Sequence, residues 1–154
     1  MTKELLNFYI QYAINVLELE ASLRQKIGTL SKLLSYLSGT AIVASAINQS
    51  PSYAIVFSII FALGQCIDFV YNPQALEQKA KDFCKQYKLL LLLLPTQPEG
   101  NVEIELKRIQ SEDDIKVSKP LKDYAYNLTT DQLNFDEKSK YQETKLIKLV
   151  KWFL

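Results

Sequence analysis

The stretch "KLLSYLSGTAIVASAINQSPSYAIVFSIIFALGQCID", residues 32–68, has no charged residue between its terminal Lys32 and Asp68, although 23% of the 154-residue chain is charged. A soluble helix keeps a polar face, whereas a helix that crosses a bilayer needs roughly 20 mostly apolar residues. The stretch is too long for one crossing, and "NQSPS" at 48–52 favours a turn inside it. The sequence therefore predicts two transmembrane helices, at about residues 30–47 and 53–71. A buried helical hairpin in a soluble all-α domain is the alternative.

Basic residues lie on both sides of this pair of segments, and the turn between them has none. Because cytoplasmic flanks are enriched in Lys and Arg, both termini are predicted to be cytoplasmic, in the inner (plasma) membrane of a bacterium. The expected fold is an all-α membrane protein with three parts: an amphipathic cytoplasmic helix at 1–29, a transmembrane hairpin at 30–71 and a cytoplasmic helical region at 72–154. The basic flanking residues are Arg24, Lys26, Lys32, Lys79, Lys81, Lys85 and Lys88.

Apolar periodicity predicts which helix faces are buried outside the hairpin. In the N-terminal helix the predicted buried stripe is Leu5, Tyr9, Tyr12, Val16, Leu19, Leu23, Ile27 and Leu30. After the hairpin, Asn72 and Pro73 are typical of a helix start, and the predicted buried side of that helix is Ala80, Phe83, Tyr87, Leu90 and Leu94. The leucine run at 89–94 is predicted to be a helix end that is buried on all sides. Two or three shorter helices follow, one of them with Ser118 as its N-cap and Pro120 in its first turn.

The composition argues against an enzyme. The chain has no His, no GxGxxG motif and no P-loop, so the commonest general base and the commonest phosphate-binding loops are missing. The acidic cluster "SEDD" at 111–114 is interpreted as a solvated helix end rather than as a cation site. We therefore expect a protein without catalytic residues, metal or cofactor.

Small residues follow each other at four-residue spacing in the second predicted crossing, where they are Ala54, Ser58, Ala62 and Cys66. The first crossing has Ser31, Ser35 and Gly39 in a comparable row. Small residues allow transmembrane helices to approach closely. Either these rows join the two helices of one hairpin, or one of them joins copies around a central axis. Gln65 and Asp68, one turn apart, lie either in the headgroup zone or on a pore.

Two groups of basic residues are candidates for binding an anionic ligand. Lys107 and Arg108 lie in one predicted helix, and Lys119 and Lys122 lie at the start of the next, where backbone N–H groups also attract anions. Ordinary solvated charge is the alternative. The C-terminal "KLIKLVKWFL" either lies on the inner leaflet or packs against the N-terminal helix.

The order of "LRQKIGTL", a two-crossing hairpin, "AKDFCKQYKLL", "IELKRIQ" and "KPLKDYAYNLTTDQL" resembles the SLATT superfamily, and "AYN" at 125–127 is the most specific local match. These are two-transmembrane effectors associated with bacterial nucleotidyltransferase and nucleotide-sensing genes. The resemblance implies an effector of antiphage defence that opens a pore in the lipid bilayer and stops growth when a nucleotide signal changes. The rows of small residues on both crossings favour a homo-oligomer, with a tetramer as the expected assembly. The resemblance also implies a cyclic nucleotide or oligonucleotide as ligand and a nucleotidyltransferase as partner. A non-conducting membrane scaffold that recruits a cytoplasmic partner is the alternative function.

Overall fold

The computed structural model describes residues 1–48, 51–135, 140–142 and 144–153, and within them the chain is helical, with no strand. The helices are α1 (Lys3–Ile47), α2 (Pro51–Cys66), α3 (Pro73–Leu93), α4 (Glu99–Glu112), α5 (Lys119–Gln132) and α6 (Lys145–Phe153), and a π-helical turn (Ile67–Tyr71) follows α2. The chain forms two compact units. We call Met1–Leu23 with Glu77–Leu154 the core unit, and Arg24–Leu76 the apolar unit.

The core unit is built around one hydrophobic cluster from the first part of α1, from α3 and from α4. Helix α3 buries the side that its sequence predicts. Burial of such apolar faces supplies most of the stability of short helices, because intrinsic propensity alone leaves them marginal. The α3 residues of the cluster are Ala80, Phe83, Cys84, Tyr87, Leu90 and Leu94, and those of α4 are Val102, Leu106 and Ile109.

Over the core unit the predicted stripe of α1 is wrong by one position at most residues, although Val16 is buried as predicted, with 8% exposure. Leu5 and Tyr9 are each 42% exposed, and the residues packed in the cluster are Leu6, Ile10, Ile14, Leu17 and Ala21. Adjacent residues on a helix lie about 100° apart, so a helix that is apolar on two neighbouring faces fits either stripe. Helix α1 has two such faces because it contacts α5 as well as α3 and α4.

The leucine run at the end of α3 is not buried on all sides, which corrects a second prediction. Leu90 and Leu94 are buried, but Leu89 is 53% exposed, Leu92 is 72% exposed and Leu93 is 46% exposed. The run therefore has one buried face and one exposed face. The chain then turns over residues 93–97, where the Thr96 and Gln97 N–H groups donate hydrogen bonds to the Leu93 carbonyl.

Helix α5 packs on another face of α1 through polar and aromatic contacts. The Asn15 amide, which is buried, donates hydrogen bonds to Thr129 Oγ1 at 2.8 Å and to Gln132 Oε1 at 2.7 Å. Tyr126 meets Phe8 edge-to-face with ring centroids 5.4 Å apart. Ser118 occupies the N-cap position of α5 as predicted, although its side chain makes no capping hydrogen bond.

The "AYN" sequence has a structural role in α5. Ala125 is fully buried, and Tyr126 lies in the aromatic cluster. The side chain of Asn127 accepts from the Tyr141 N–H at 2.8 Å and donates to the Tyr141 carbonyl at 3.0 Å, so it replaces a backbone partner for the segment that leads to α6.

In the apolar unit, the second part of α1 and helix α2 pack against each other and run in opposite directions. Gly39 lies near the Phe61 ring, Ser31 bonds to Gly64, and Gly28 lies near Pro73. Helix α1 passes through Gly28 without a break.

By length and composition, Lys3–Ile47 and Pro51–Leu93 are each able to cross a membrane. Only 17% and 6% of their most apolar windows are buried inside the protein.

The π-helical turn ends at Asn72, which has φ 38° and ψ 60° in the left-handed region that Asn tolerates better than most residues. Asn72 Oδ1 accepts from the Ala75 N–H at 3.3 Å, and Pro73 opens α3, as the sequence predicts. The backbone therefore changes direction at Asn72, where one helical segment ends and the next begins.

Candidate functional site

Helices α1 and α2 meet along a row of serines. Ser31 Oγ donates to the Gly64 carbonyl at 2.7 Å, and Ser31, Ser35, Ser38 and Ser45 are all buried in an otherwise apolar unit. A β-carbon added at Gly64 would lie 2.5 Å from Ser35 Oγ, so glycine is what allows this close approach. Ser35 Oγ is buried and has no hydrogen-bond partner among the described residues.

Of the predicted small residues, those of α1 face α2 and most of those of α2 face away from α1. Ser35 is buried and Gly39 is half-buried, and a β-carbon added at Gly39 would lie 3.8 Å from the Phe61 ring. In α2 the buried residue is Gly64, and Ala54 is half-buried. Ser58, Ala62 and Cys66 are exposed. The two rows therefore do not pack against one another within one chain.

The polar residues predicted near the end of the second crossing lie around the π-helical turn. Gln65 is exposed, and Asp68 is half-buried within the turn itself. The Arg24 guanidinium lies 5.1 Å from the centre of the Tyr71 ring, within the range of a cation–π interaction.

All four predicted anion-binding residues are exposed on the surface of the core unit, and two of them are paired with carboxylates. Lys107 Nζ donates to Glu103 Oε1 at 2.8 Å. Arg108 bonds to Glu105 and Glu112 on its own helix at 2.6 and 2.7 Å. Lys119 lies in the first turn of α5.

Lys122 is the fourth, and it lines a cavity of 340 Å³ in the core unit. The cavity lies between the first part of α1, α3, the end of α4, the segment after α4 and the start of α5. Its aromatic walls are Tyr9, Tyr12 and Tyr87, and its polar groups besides Lys122 are Gln110 and Asp113. The apolar remainder of the lining is Ala13, Val16, Leu17, Ile115 and Val117.

Partial burial changes the acidity of several groups in this cavity. Burial raises the pKa of Asp113. Its Oδ1 accepts a hydrogen bond from the Ile115 N–H at 3.1 Å, and this bond opposes part of the rise. Burial, together with the nearby Asp113 carboxylate, raises the pKa of Tyr87 well above its usual range. Burial also raises the pKa of Tyr12. At neutral pH Tyr12 and Tyr87 are therefore neutral phenols that can donate hydrogen bonds.

Sequence reasoning finds Lys122 but misses the rest of the cavity. Tyr9, Tyr12 and Val16 belong to the stripe that is predicted to be buried against another helix, and in the structure they line the cavity instead. An apolar stripe that contains two tyrosines one turn apart is a usable signal, since tyrosine places a polar tip at the end of an apolar body.

Within the described ranges, no group of three or more His, Cys, Asp or Glu side chains is placed to hold a metal ion. The "SEDD" residues make other contacts: Asp114 forms an ion pair with Lys79 at 2.5 Å. Comparison of the chain with protein-family models, with curated proteins and with solved structures found no match.

Proposed function

We propose that this protein is a membrane effector of bacterial antiphage defence, which assembles as a homo-oligomer and opens a pore or ion channel when a nucleotide-derived signal reaches its core unit. Opening depolarises the membrane and arrests growth. The observation that carries the proposal is the face of α2 formed by Ser58, Ala62 and Cys66. This face is made of small residues, lies in an apolar helix and is left uncovered by α1.

A membrane environment is supported by how little of the apolar sequence is buried. The core helix of a soluble protein buries most of its apolar residues, but 6% of the most apolar window of Pro51–Leu93 is buried. The exposed side chains are large, and in water they would form an unusually extensive apolar surface. They include Leu33, Leu37, Val43, Tyr53, Ile55, Ile59, Leu63, Phe69 and Val70.

Association between copies is supported by the position of the small residues. In lipid there is no hydrophobic drive between helices, so close packing and interhelical hydrogen bonds hold them together. Within one chain the Ser31–Gly64 hydrogen bond already serves this purpose. The row of Ser58, Ala62 and Cys66 is then available for a helix of another copy, and a tetramer would arrange four such rows around one axis.

We place both termini in the cytoplasm of a bacterium, because the basic residues flank the two crossings on one side. A reporter enzyme that functions only in the cytoplasm should be active when it is fused after Leu154. Activity of a periplasm-only reporter at the same position would refute this orientation.

The role in defence is supported by the layout that the chain shares with SLATT effectors, and a nucleotidyltransferase is the partner that this layout suggests. Coupling requires a ligand that binds one state of the pore better than the other, and the shift cannot exceed that difference in binding free energy. The core unit offers a cavity with a lysine for such a ligand.

Flux from liposomes tests the proposal. The purified protein should release a trapped ion or small dye, and Ala62→Leu should reduce release because it places a larger side chain in the proposed interface. Ala44→Leu is the matched control, since it makes the same change at an exposed position of α1. Equal release by both variants would show that the α2 face contacts lipid only, and liposomes that stay intact with every nucleotide tested would refute the pore.

A non-conducting scaffold is the second candidate, and α6 favours it. Leu146, Leu149 and Trp152 are 59%, 61% and 83% exposed, while Ile147 anchors the helix with 1% exposure. Such a surface suits a recruited protein. The scaffold predicts that Trp152→Ala abolishes partner recruitment in a pull-down from the native host, and that overexpression leaves the membrane potential unchanged.

A further inference from the structure

From the cavity in the core unit we infer a binding site for a single nucleoside phosphate, with the base against Tyr9, Tyr12 and Tyr87 and the phosphate at Lys122. The inference rests on the proposed function only for what the ligand does to the pore. The binding site itself is argued from the shape and lining of the cavity.

The walls of the cavity suit a flat aromatic ring. Tyr9 and Tyr12 lie one turn apart on α1, and Tyr87 faces them from α3. Tyr87 is 1% exposed and forms the buried floor of the cavity, whereas Tyr9 and Tyr12 offer more accessible ring surface. Stacking on aromatic side chains is the common way in which proteins hold an unpaired base, because every base offers a π-face.

Two further polar groups are placed to read the edge of a base. The Gln110 amide offers one donor and one acceptor, the combination that pairs with adenine, and it makes no hydrogen bond within the part of the chain that the structure describes. One Asp113 oxygen accepts from the Ile115 N–H. The other is left to accept from a base N–H, such as those of guanine.

The phosphate end of the site is Lys122. This lysine lines the cavity and forms no ion pair with any residue that the structure describes. A lysine ammonium group is a common partner of phosphate oxygens, because it donates charge-assisted hydrogen bonds.

The volume decides between a mononucleotide and an oligonucleotide. Small-molecule sites occupy about 300–1,000 Å³, and 340 Å³ lies near the lower limit, which leaves room for one nucleoside. A second cavity of 570 Å³ lies beside Lys3, Leu91 and Pro95, but its lysine already donates to the Pro95 carbonyl at 3.1 Å, and it has no aromatic wall. The smaller cavity is therefore the better site.

Calorimetry with the full chain in detergent tests the inference, with AMP and GMP as probes and ribose 5-phosphate as the probe that lacks a base. We expect AMP or GMP to bind about tenfold more tightly than ribose 5-phosphate, since only the nucleotides stack on the tyrosines. Lys122→Ala and Tyr9→Leu should each weaken nucleotide binding by about fivefold or more. Lys85→Ala is the matched control, because it removes the same charge from an exposed position of α3 outside the cavity, and it should change the Kd by less than about twofold.

Three results would overturn the site: no binding of AMP or GMP at millimolar concentration, equal affinity for ribose 5-phosphate, or affinities that Lys122→Ala and Tyr9→Leu leave unchanged. Failure of the proposed function gives a different result. Binding that depends on Lys122, together with liposomes that release nothing, would establish the site and refute the pore. Release that no nucleotide affects, without binding, would refute the site and leave the pore standing.

Discussion

A methyl group added at Gly64 would lie 2.5 Å from Ser35 Oγ and 3.3 Å from the Ser31 carbonyl oxygen. Ser35 Oγ can rotate away, but the Ser31 oxygen belongs to the backbone of α1 and moves only with the helix. We therefore expect Gly64→Ala to push α1 and α2 apart. Overpacking of this kind costs about 1–3 kcal/mol.

Gly39→Ala is the matched control, because the β-carbon at Gly39 would meet nothing closer than the Phe61 ring at 3.8 Å, an ordinary contact distance. Both substitutions gain about 0.8–1.0 kcal/mol of helix propensity, and this gain cancels when the two variants are compared. The Gly64→Ala protein should thus be less stable than the Gly39→Ala protein by about 1–3 kcal/mol, or roughly 5- to 150-fold in the unfolding equilibrium.

The assay is SDS-induced unfolding of the full chain in mixed micelles. Separation of the helices is followed by energy transfer between dyes on cysteines introduced at Tyr36 and Phe69, which are exposed, in a background without the native cysteines. Ser35→Ala removes the nearer oxygen and should restore part of the stability lost in Gly64→Ala. If Gly64→Ala is as stable as Gly39→Ala, the close approach of α1 and α2 at this position is wrong.

Further predictions concern the core unit. Asn15→Ala should lower the free energy of unfolding by about 1–3 kcal/mol, because it removes a buried amide and leaves the buried Thr129 hydroxyl without its donor; Gln11→Ala, which removes one exposed bond of 3.3 Å, is the control, and equal thermal melting of the two variants in detergent would contradict the argument. The pKa of Asp113 is raised above 3.8 in the folded chain, so the folded chain binds this proton more tightly than the unfolded chain does. The stability that Asp113 contributes is therefore complete below pH 3.8 and is lost as the pH rises through the raised pKa. Asp113→Asn should accordingly raise the melting temperature at neutral pH and have no effect below pH 3.8, whereas a gain that is equal at both pH values would exclude the carboxylate charge as the cause. Burial raises the pKa of Cys84, so its reaction with a water-soluble maleimide should be at least about tenfold slower in the folded chain than in denaturant; equal rates would show that the cysteine is accessible.

The sequence alone predicts those helices whose pattern of apolar residues allows a single interpretation. The charge-free stretch predicts two apolar helices, and α3, with a single apolar side, buries the predicted residues from Ala80 to Leu94. Asn72 and Pro73 mark the start of α3, because a left-handed Asn followed by a proline ends one helix and opens another.

Prediction fails where two faces of one helix are apolar. On α1, Leu5 lies next to Leu6, and Tyr9 lies next to Ile10. Only the positions of α3, α4 and α5 decide which residue of each pair is buried. The same limit applies to the cavity. Lys122 is found because it follows a helix start, but Tyr87, Gln110 and Asp113 come from distant parts of the sequence and meet through tertiary packing alone.

In the membrane topology that we propose, the serines buried between α1 and α2 would affect how the chain enters the bilayer during synthesis. Ser31, Ser35, Ser38 and Ser45 make the first span a poor substrate for the insertion machinery by itself, since each hydroxyl reduces the free energy gained in lipid. The Gly64 carbonyl, which satisfies Ser31, is synthesised more than thirty residues later. We therefore expect the first span to wait at the translocon until α2 emerges, and the two helices to enter the bilayer together. Chains truncated after residue 50 and released from the ribosome should remain extractable from membranes by alkali, and released chains that extend past residue 100 should not.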